Sequence, residues 1–264
     1  MYTITVKDAC KDFREVHALD HATCTFGSGN IHGLVGRNGS GKTILLKCIC
    51  GLSGLTSGSI EVDGVEIRPE KRLPVPMGII IENPGFLPHM SGLENLKLLA
   101  SIRRQIDVEQ IREAMRTVGL DPGLRRAVGK YSLGMRQRLG IAQAIMEDPP
   151  VLLLDEPFNG LDNKGVEEMR TLLQKLKRNG KTIVIASHNP LDIEVLCDAV
   201  YEMDSGVMRC VKAADTSMIE ETHEDAFEKV SEKWKRMHAP ASFEKHLAGM
   251  VQQLIQEDSV QEVH

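Results

Sequence analysis

Residues 31–49 read Ile-His-Gly-Leu-Val-Gly-Arg-Asn-Gly-Ser-Gly-Lys-Thr-Ile-Leu-Leu-Lys-Cys-Ile, and this stretch decides the fold. Its first five residues form an apolar run that reads as a buried strand, and the run from Thr43 to Ile49 reads as a helix. Between them, Gly36, Arg37, Asn38, Gly39, Ser40, Gly41, Lys42 and Thr43 make a complete GxxxxGK[ST] phosphate-binding loop. Strand, glycine loop and helix in that order give the motif its structural context. The glycines let the backbone curl until successive N–H groups face one anion. The helix N-terminus adds a partial positive charge. Lys42 has the reach to meet β- and γ-phosphates, and the Thr43 hydroxyl can ligate Mg²⁺.

Working outward, Val151-Leu152-Leu153-Leu154 and Thr182-Ile183-Val184-Ile185-Ala186 are short continuous apolar runs, the signature of strands buried on both faces. Residues 164–178 between them read as a helix, and two more short strands fit 199–203 and 207–211. Strands alternating with helices predict an α/β fold, interrupted by a helical insertion over about 84–148. The first buried run ends in Asp155-Glu156-Pro157. A carboxylate at a strand end beside a phosphate loop suits Mg²⁺, which is the expectation for Asp155. Glu156 comes next, points differently, and is the candidate base for an attacking water. The second run ends in Ser187-His188, and His188 is the candidate hydrogen-bond donor to a γ-phosphate. Ahead of the first run, Ser132 and Gly134 open a helix whose N-terminus can present N–H groups to an anion.

The whole chain has 264 residues and 42% hydrophobic residues, enough for one large α/β domain with an appendage. A net charge of −5 argues against nonspecific nucleic-acid binding, which needs a basic surface. No stretch approaches the roughly 20 apolar residues of a membrane span. The first seven residues alternate like a strand rather than a signal peptide, which predicts a cytosolic protein. Six cysteines, at 10, 24, 48, 50, 197 and 210, lack the paired spacing of a metal site, and all six read as small core residues. Beyond 212, apolar residues recur at helical spacing around Trp234 and again from Phe243 to Ile255, split by Pro240. This predicts a C-terminal extension, 213–264, of two amphipathic helices packed back on the core; the competing reading is a dimer or partner surface.

The order of these elements resembles an ABC-type ATPase, the nucleotide-binding subunit of ABC transporters. Gly36–Thr43 matches its Walker A loop and Val151–Glu156 its Walker B strand. Asn159–Asp162 looks like its D-loop, His188 its switch histidine, and the segment opening at Ser132 its signature. The resemblance covers residues 1 to about 212. It implies a P-loop NTPase core with an ABC-type β-subdomain and a helical subdomain. It also implies that Phe13 stacks on adenine, and that ATP and Mg²⁺ bind in a head-to-tail homodimer or paired ATPase. Each ATP would then lie between the phosphate loop of one copy and Ser132–Gly134 of the other, with Asp162 also among the ATP-binding residues. The implied partner is a separate transmembrane permease docking near residues 82–100, with Glu94 among the contacts, so the subunit would sit peripherally on the inner face of the cell membrane. Two departures stand out. Glu82 takes the place of the usual glutamine, within reach of Mg²⁺, and Leu133 and Met135 stand where the signature commonly has glycines. Both look like the bacitracin and lantibiotic export and immunity branch, which implies a peptide antibiotic as cargo. An ATPase of a soluble assembly machine, such as iron–sulfur cluster assembly, is the alternative on length alone.

Overall fold

The computed structural model describes residues 2–82 and 84–214, apart from the side chains of residues 190 and 191. The two expected C-terminal helices lie outside the described residues. Two sheets carry the fold. The first is antiparallel, built from β1 (Ile4–Phe13), β2 (Val16–Phe26), β4 (Ser57–Val62) and β5 (Val65–Glu66) in the order β2-β1-β4-β5. The second has six strands: β3 (Ile31–Val35), β6 (Met77–Ile80), β7 (Val151–Asp155), β8 (Thr182–Ser187), β9 (Ala199–Asp204) and β10 (Val207–Lys212). Their order is β10-β9-β3-β8-β7-β6, parallel except for β10.

Why the central strands read as continuous apolar runs is visible in the packing. Along β7, Leu152 and Leu154 face one core and Val151 and Leu153 the other. Along β8, Ile183 and Ile185 share the first core, Val184 and Ala186 the second. With both faces covered, polar residues are confined to the strand ends, at Asp155, Thr182 and Ser187. The second core lies between the parallel sheet and the antiparallel one, and takes in Leu45, Leu46 and Ile49 of α1 (Lys42–Ile49). The first core receives the apolar faces of α2 (Gly92–Arg103), α3 (Val108–Thr117), α4 (Leu133–Ile145), α5 (Asn163–Arg178) and α6 (Pro190–Leu196). The segment between β6 and β7 holds α2, α3 and α4.

The cysteine expectation needs correcting. Cys24, Cys48, Cys50 and Cys197 are buried, but Cys10 is half-buried and Cys210 exposed. Both outliers sit on strands of which one face meets water, so a short apolar-looking residue there need not be core.

Candidate functional site

The strand order gathers the chemistry at one edge. Strands β3, β8 and β7 lie side by side and parallel, with Val35 opposite Ser187 and Asp155 opposite Ala186. Their C-terminal ends therefore deliver the phosphate loop, His188 and the Asp155-Glu156 pair to a single crevice, where open parallel sheets place their ligands.

The loop is held open by two glycines whose positions exclude side chains. A Cβ on Gly36 would stand 2.2 Å from the Met203 carbonyl oxygen. Gly41, at φ 107°, caps α1 in a left-handed conformation, and a Cβ there would meet the Ala18 carbonyl oxygen at 2.5 Å. A cavity of about 360 Å³ opens over the loop, lined by residues 16–18 of β2, residues 38–44, Asp155 and Glu156. Within it Lys42 is buried and its Nζ donates to the carbonyls of Gly36 at 2.6 Å and Arg37 at 3.1 Å. Burial holds the Lys42 ammonium below its usual pKa, opposed by the nearby charges of Glu156 and Asp155. The Thr43 hydroxyl donates to Asp155 Oδ2 at 2.7 Å. Burial pushes the Asp155 carboxyl up, the Thr43 hydrogen bond works against this, and Glu156 adds to the rise. A hydroxyl and a buried carboxylate are hard oxygen donors, the set Mg²⁺ prefers, so this corner fits the ion. Ser40 Oγ is buried in the loop with no hydrogen-bond partner among the described residues.

Glu156 has a left-handed backbone, φ 49°, while its N–H still bonds the Ala186 carbonyl at 2.8 Å. That break in the strand turns its side chain away from that of Asp155. Glu156 Oε1 accepts from the backbone N–H of His188 at 2.9 Å and lies 2.8 Å from His188 Nδ1. The carboxylate and the imidazole thus form one unit beside the phosphate cavity.

Other expected residues stand elsewhere in the single chain. Ser132 Oγ accepts from the Met135 N–H at 3.1 Å and caps α4, and Asp162 Oδ1 accepts from the Gly165 N–H at 2.9 Å and caps α5. These two caps and Gly134 are absent from the cavity lining. Gly134 instead packs against the turn that precedes Asp162, where a Cβ would come within 2.8 Å of the Gly160 carbonyl oxygen. Phe13 is 48% exposed, pairs across the strand with Val16, which does line the cavity, and has Lys11 Nζ 4.9 Å from its ring centre. Arg37 faces outward toward Asp204 at 3.5 Å. Glu82, φ 59°, accepts from Lys47 Nζ at 2.5 Å rather than lining the cavity. Glu94, expected among permease contacts, closes a capping box with Ser91 at the start of α2. Within the signature-like segment, one residue makes a contact that its place there does not imply. Gln137 on α4 donates its amide to the Glu156 carbonyl at 3.1 Å and the Pro157 carbonyl at 3.0 Å. It ties the signature helix to the backbone that aims Glu156, and spacing along the chain carries no signal of that contact.

Comparison with known proteins agrees with this geometry. The sequence profile of the ABC transporter family matches residues 19–159. The uncharacterized ABC transporter ATP-binding protein YybJ of Bacillus subtilis is 43% identical over 203 residues, 77% of this chain and 93% of that protein. The bacitracin transport ATP-binding protein BcrA of Enterococcus faecalis is 40% identical, over 78% of this chain and 67% of BcrA. The lantibiotic transport ATP-binding protein SrtF of Streptococcus pyogenes is 34% identical, over 81% of this chain and 92% of SrtF. Among solved structures, a dimeric ATP-binding cassette in a post-hydrolysis state, bound to ADP and phosphate, superposes with a TM-score of 0.72 at 23% identity, covering 79% of this chain and 98% of that one. That likeness establishes the shared fold. The relatives are transporter subunits, which supports the transporter reading over the assembly-machine alternative. This chain therefore belongs to the ABC transporter family, as one of its ATP-binding ATPase subunits.

Proposed function

We propose that Glu156 is the general base for ATP hydrolysis and His188 its partner, in a subunit that works as a head-to-tail pair and drives a separate membrane permease exporting, or protecting against, a peptide antibiotic. The observation that carries the chemistry is the Glu156–His188 unit beside the phosphate cavity. The triphosphate lies on the N–H groups of residues 38–43, at the N-terminus of α1, where the dipole favours negative charge. Lys42 exchanges its two carbonyl acceptors for phosphate oxygens. Thr43 and Asp155 would hold Mg²⁺, which would neutralise charge on the phosphates. Glu156 accepts the proton of the attacking water. His188 orients that carboxylate through Nδ1–H and, when doubly protonated, donates Nε2–H to the γ-phosphate. Phosphoryl transfer asks for little else, because positioning and electrostatics supply most of the acceleration.

One chain leaves the outer side of this cavity open. A second copy, placing the N-terminus of α4 with Ser132 and Gly134 over the γ-phosphate, would complete the electrostatic cradle, and Asp162 would sit at the seam. Phe13, at the cavity rim beside Val16, would meet the base. No helix among the described residues is long and apolar enough to cross a membrane. Kinship with transporter subunits supports a separate permease chain, with this subunit on the inner face of the membrane. The exposed Leu87, Leu98 and Ile102, at 38%, 48% and 76%, offer an apolar patch for docking near α2. The peptide-antibiotic cargo rests on the kinship with BcrA and SrtF. The experiment is Glu156→Gln: ATP binding is kept and turnover falls by about 100-fold or more. Turnover within a few-fold of wild type would remove Glu156 as the base.

A further inference from the structure

Glu82 puts a third carboxylate near a site that already carries Asp155 and Glu156. Its charge is felt at Asp155, where it adds to the upward push on that carboxyl. Negative charge crowded toward a triphosphate works against nucleotide binding. The structure supplies a countercharge from an unexpected place. Lys47 lies four residues after Thr43 on α1, one turn further along the same face. Its Nζ donates to Glu82 Oε1 at 2.5 Å. The Lys47 side chain is the better buried of the two, at 29% exposed against 64% for Glu82, so the lysine is the anchored partner. The Glu82 backbone is left-handed, φ 59°, a conformation disfavoured for residues with a Cβ, so the segment after β6 turns the carboxylate toward α1 at some local cost.

We propose that Lys47 is a positioning residue. It holds Glu82 as a neutralised pair one helical turn away from Thr43, and so lets a carboxylate occupy this position without weakening MgATP binding. The inference rests on the ATPase reading above and goes beyond it, by assigning a role to a lysine outside the cavity lining. A glutamine at position 82 would need no such partner. The pair is partly exposed, so its effect is modest and falls with salt.

A double-mutant cycle tests this. Equilibrium binding of a non-hydrolysable ATP analogue with Mg²⁺ is measured for wild type, Lys47→Met, Glu82→Gln and the double variant at low and high salt. Any direct attraction between Lys47 and the phosphates is the same whichever residue stands at 82, and cancels in the cycle. The expected result is a loss of about fivefold for Lys47→Met with Glu82 present, and under about twofold with glutamine there. The larger loss shrinks at high salt. Lys47→Arg, which keeps the charge, stays near wild type and guards against a folding defect. An equal loss in both backgrounds, or none in either, overturns the proposal. If wild type itself fails to bind the analogue, the ATPase reading falls first and this inference with it.

Discussion

The phosphate-loop edge and the start of α4 make an instructive pair. Both are helix N-termini aimed to receive negative charge, yet only the first lines the cavity over the phosphate loop. At the loop the capping residue is Gly41, which has no side chain to satisfy the first N–H groups, and Lys42 is parked on backbone carbonyls. The donors there are left for a ligand. At α4, Ser132 Oγ already satisfies the Met135 N–H, and Leu133 stands 49% exposed beside it. The first is a complete receptor for phosphate. The second is a surface whose positive helix end meets an anion only when another molecule covers it. Under the proposal above, that molecule is a second copy with its own bound ATP.

The largest expected effect breaks the loop half. Lys42→Ala loses a charge-assisted contact to phosphate and should weaken ATP binding about 10- to 100-fold, read by equilibrium binding to the isolated subunit; an unchanged affinity would sink the loop assignment. Next comes the α4 half. Ser132→Asp keeps a good helix cap but adds negative charge where the partner's γ-phosphate would lie. Turnover should fall about tenfold or more, while binding to the isolated subunit stays constant. If affinity falls in the monomer as well, the two halves are not separate. A smaller effect sharpens the link between them. Gln137→Leu removes two bonds to the backbone around Glu156, and kcat should fall about fivefold with the ATP affinity unchanged.

The smallest effect concerns stability and its sign. Burial raises the Asp155 carboxyl in the folded chain above its unfolded value. A carboxyl raised in this way favours the folded state while protonated, and that advantage is lost as pH rises through the folded pKa. At neutral pH the buried charge is therefore a cost. Asp155→Asn removes the charge, so its Tm without nucleotide should equal or exceed that of wild type at pH 7. The gap should close as pH falls through the carboxylate range. Thermal melts at several pH values check this, and a Tm well below wild type at pH 7 would mean Asp155 stabilises the fold as an anion.

How much of this was legible follows from how local each signal is. The loop at 36–43 could be read because its chemistry is contiguous: strand, glycines, lysine and threonine lie within one turn of chain. The strands at 151–154 and 182–186 could be read because burial on both faces leaves an unbroken apolar run. Gln137 and Lys47 could not. Each acts through a partner, 19 residues on for Gln137 and 35 residues on for Lys47, and a polar residue on a helix looks the same whether it meets water or a distant backbone. Cys10 and Cys210 misled for a related reason, since small apolar residues carry no mark of which side of a sheet they will face.

By itself, the sequence determined the type of site, since a glycine loop between a buried strand and a helix admits few uses other than phosphate binding. It also determined the ATPase family, because five motifs recur in one order. Only the tertiary structure decided which residues meet. Parallel pairing of β3, β8 and β7 brings Thr43 to Asp155 across 112 residues and His188 to Glu156 across 32. The tertiary structure also turned Glu82 onto Lys47. The physical reason is that motifs are written in short stretches of backbone, whereas hydrogen-bond partners and charge neutralisation are settled by strand order and by the directions side chains take once the sheet has closed.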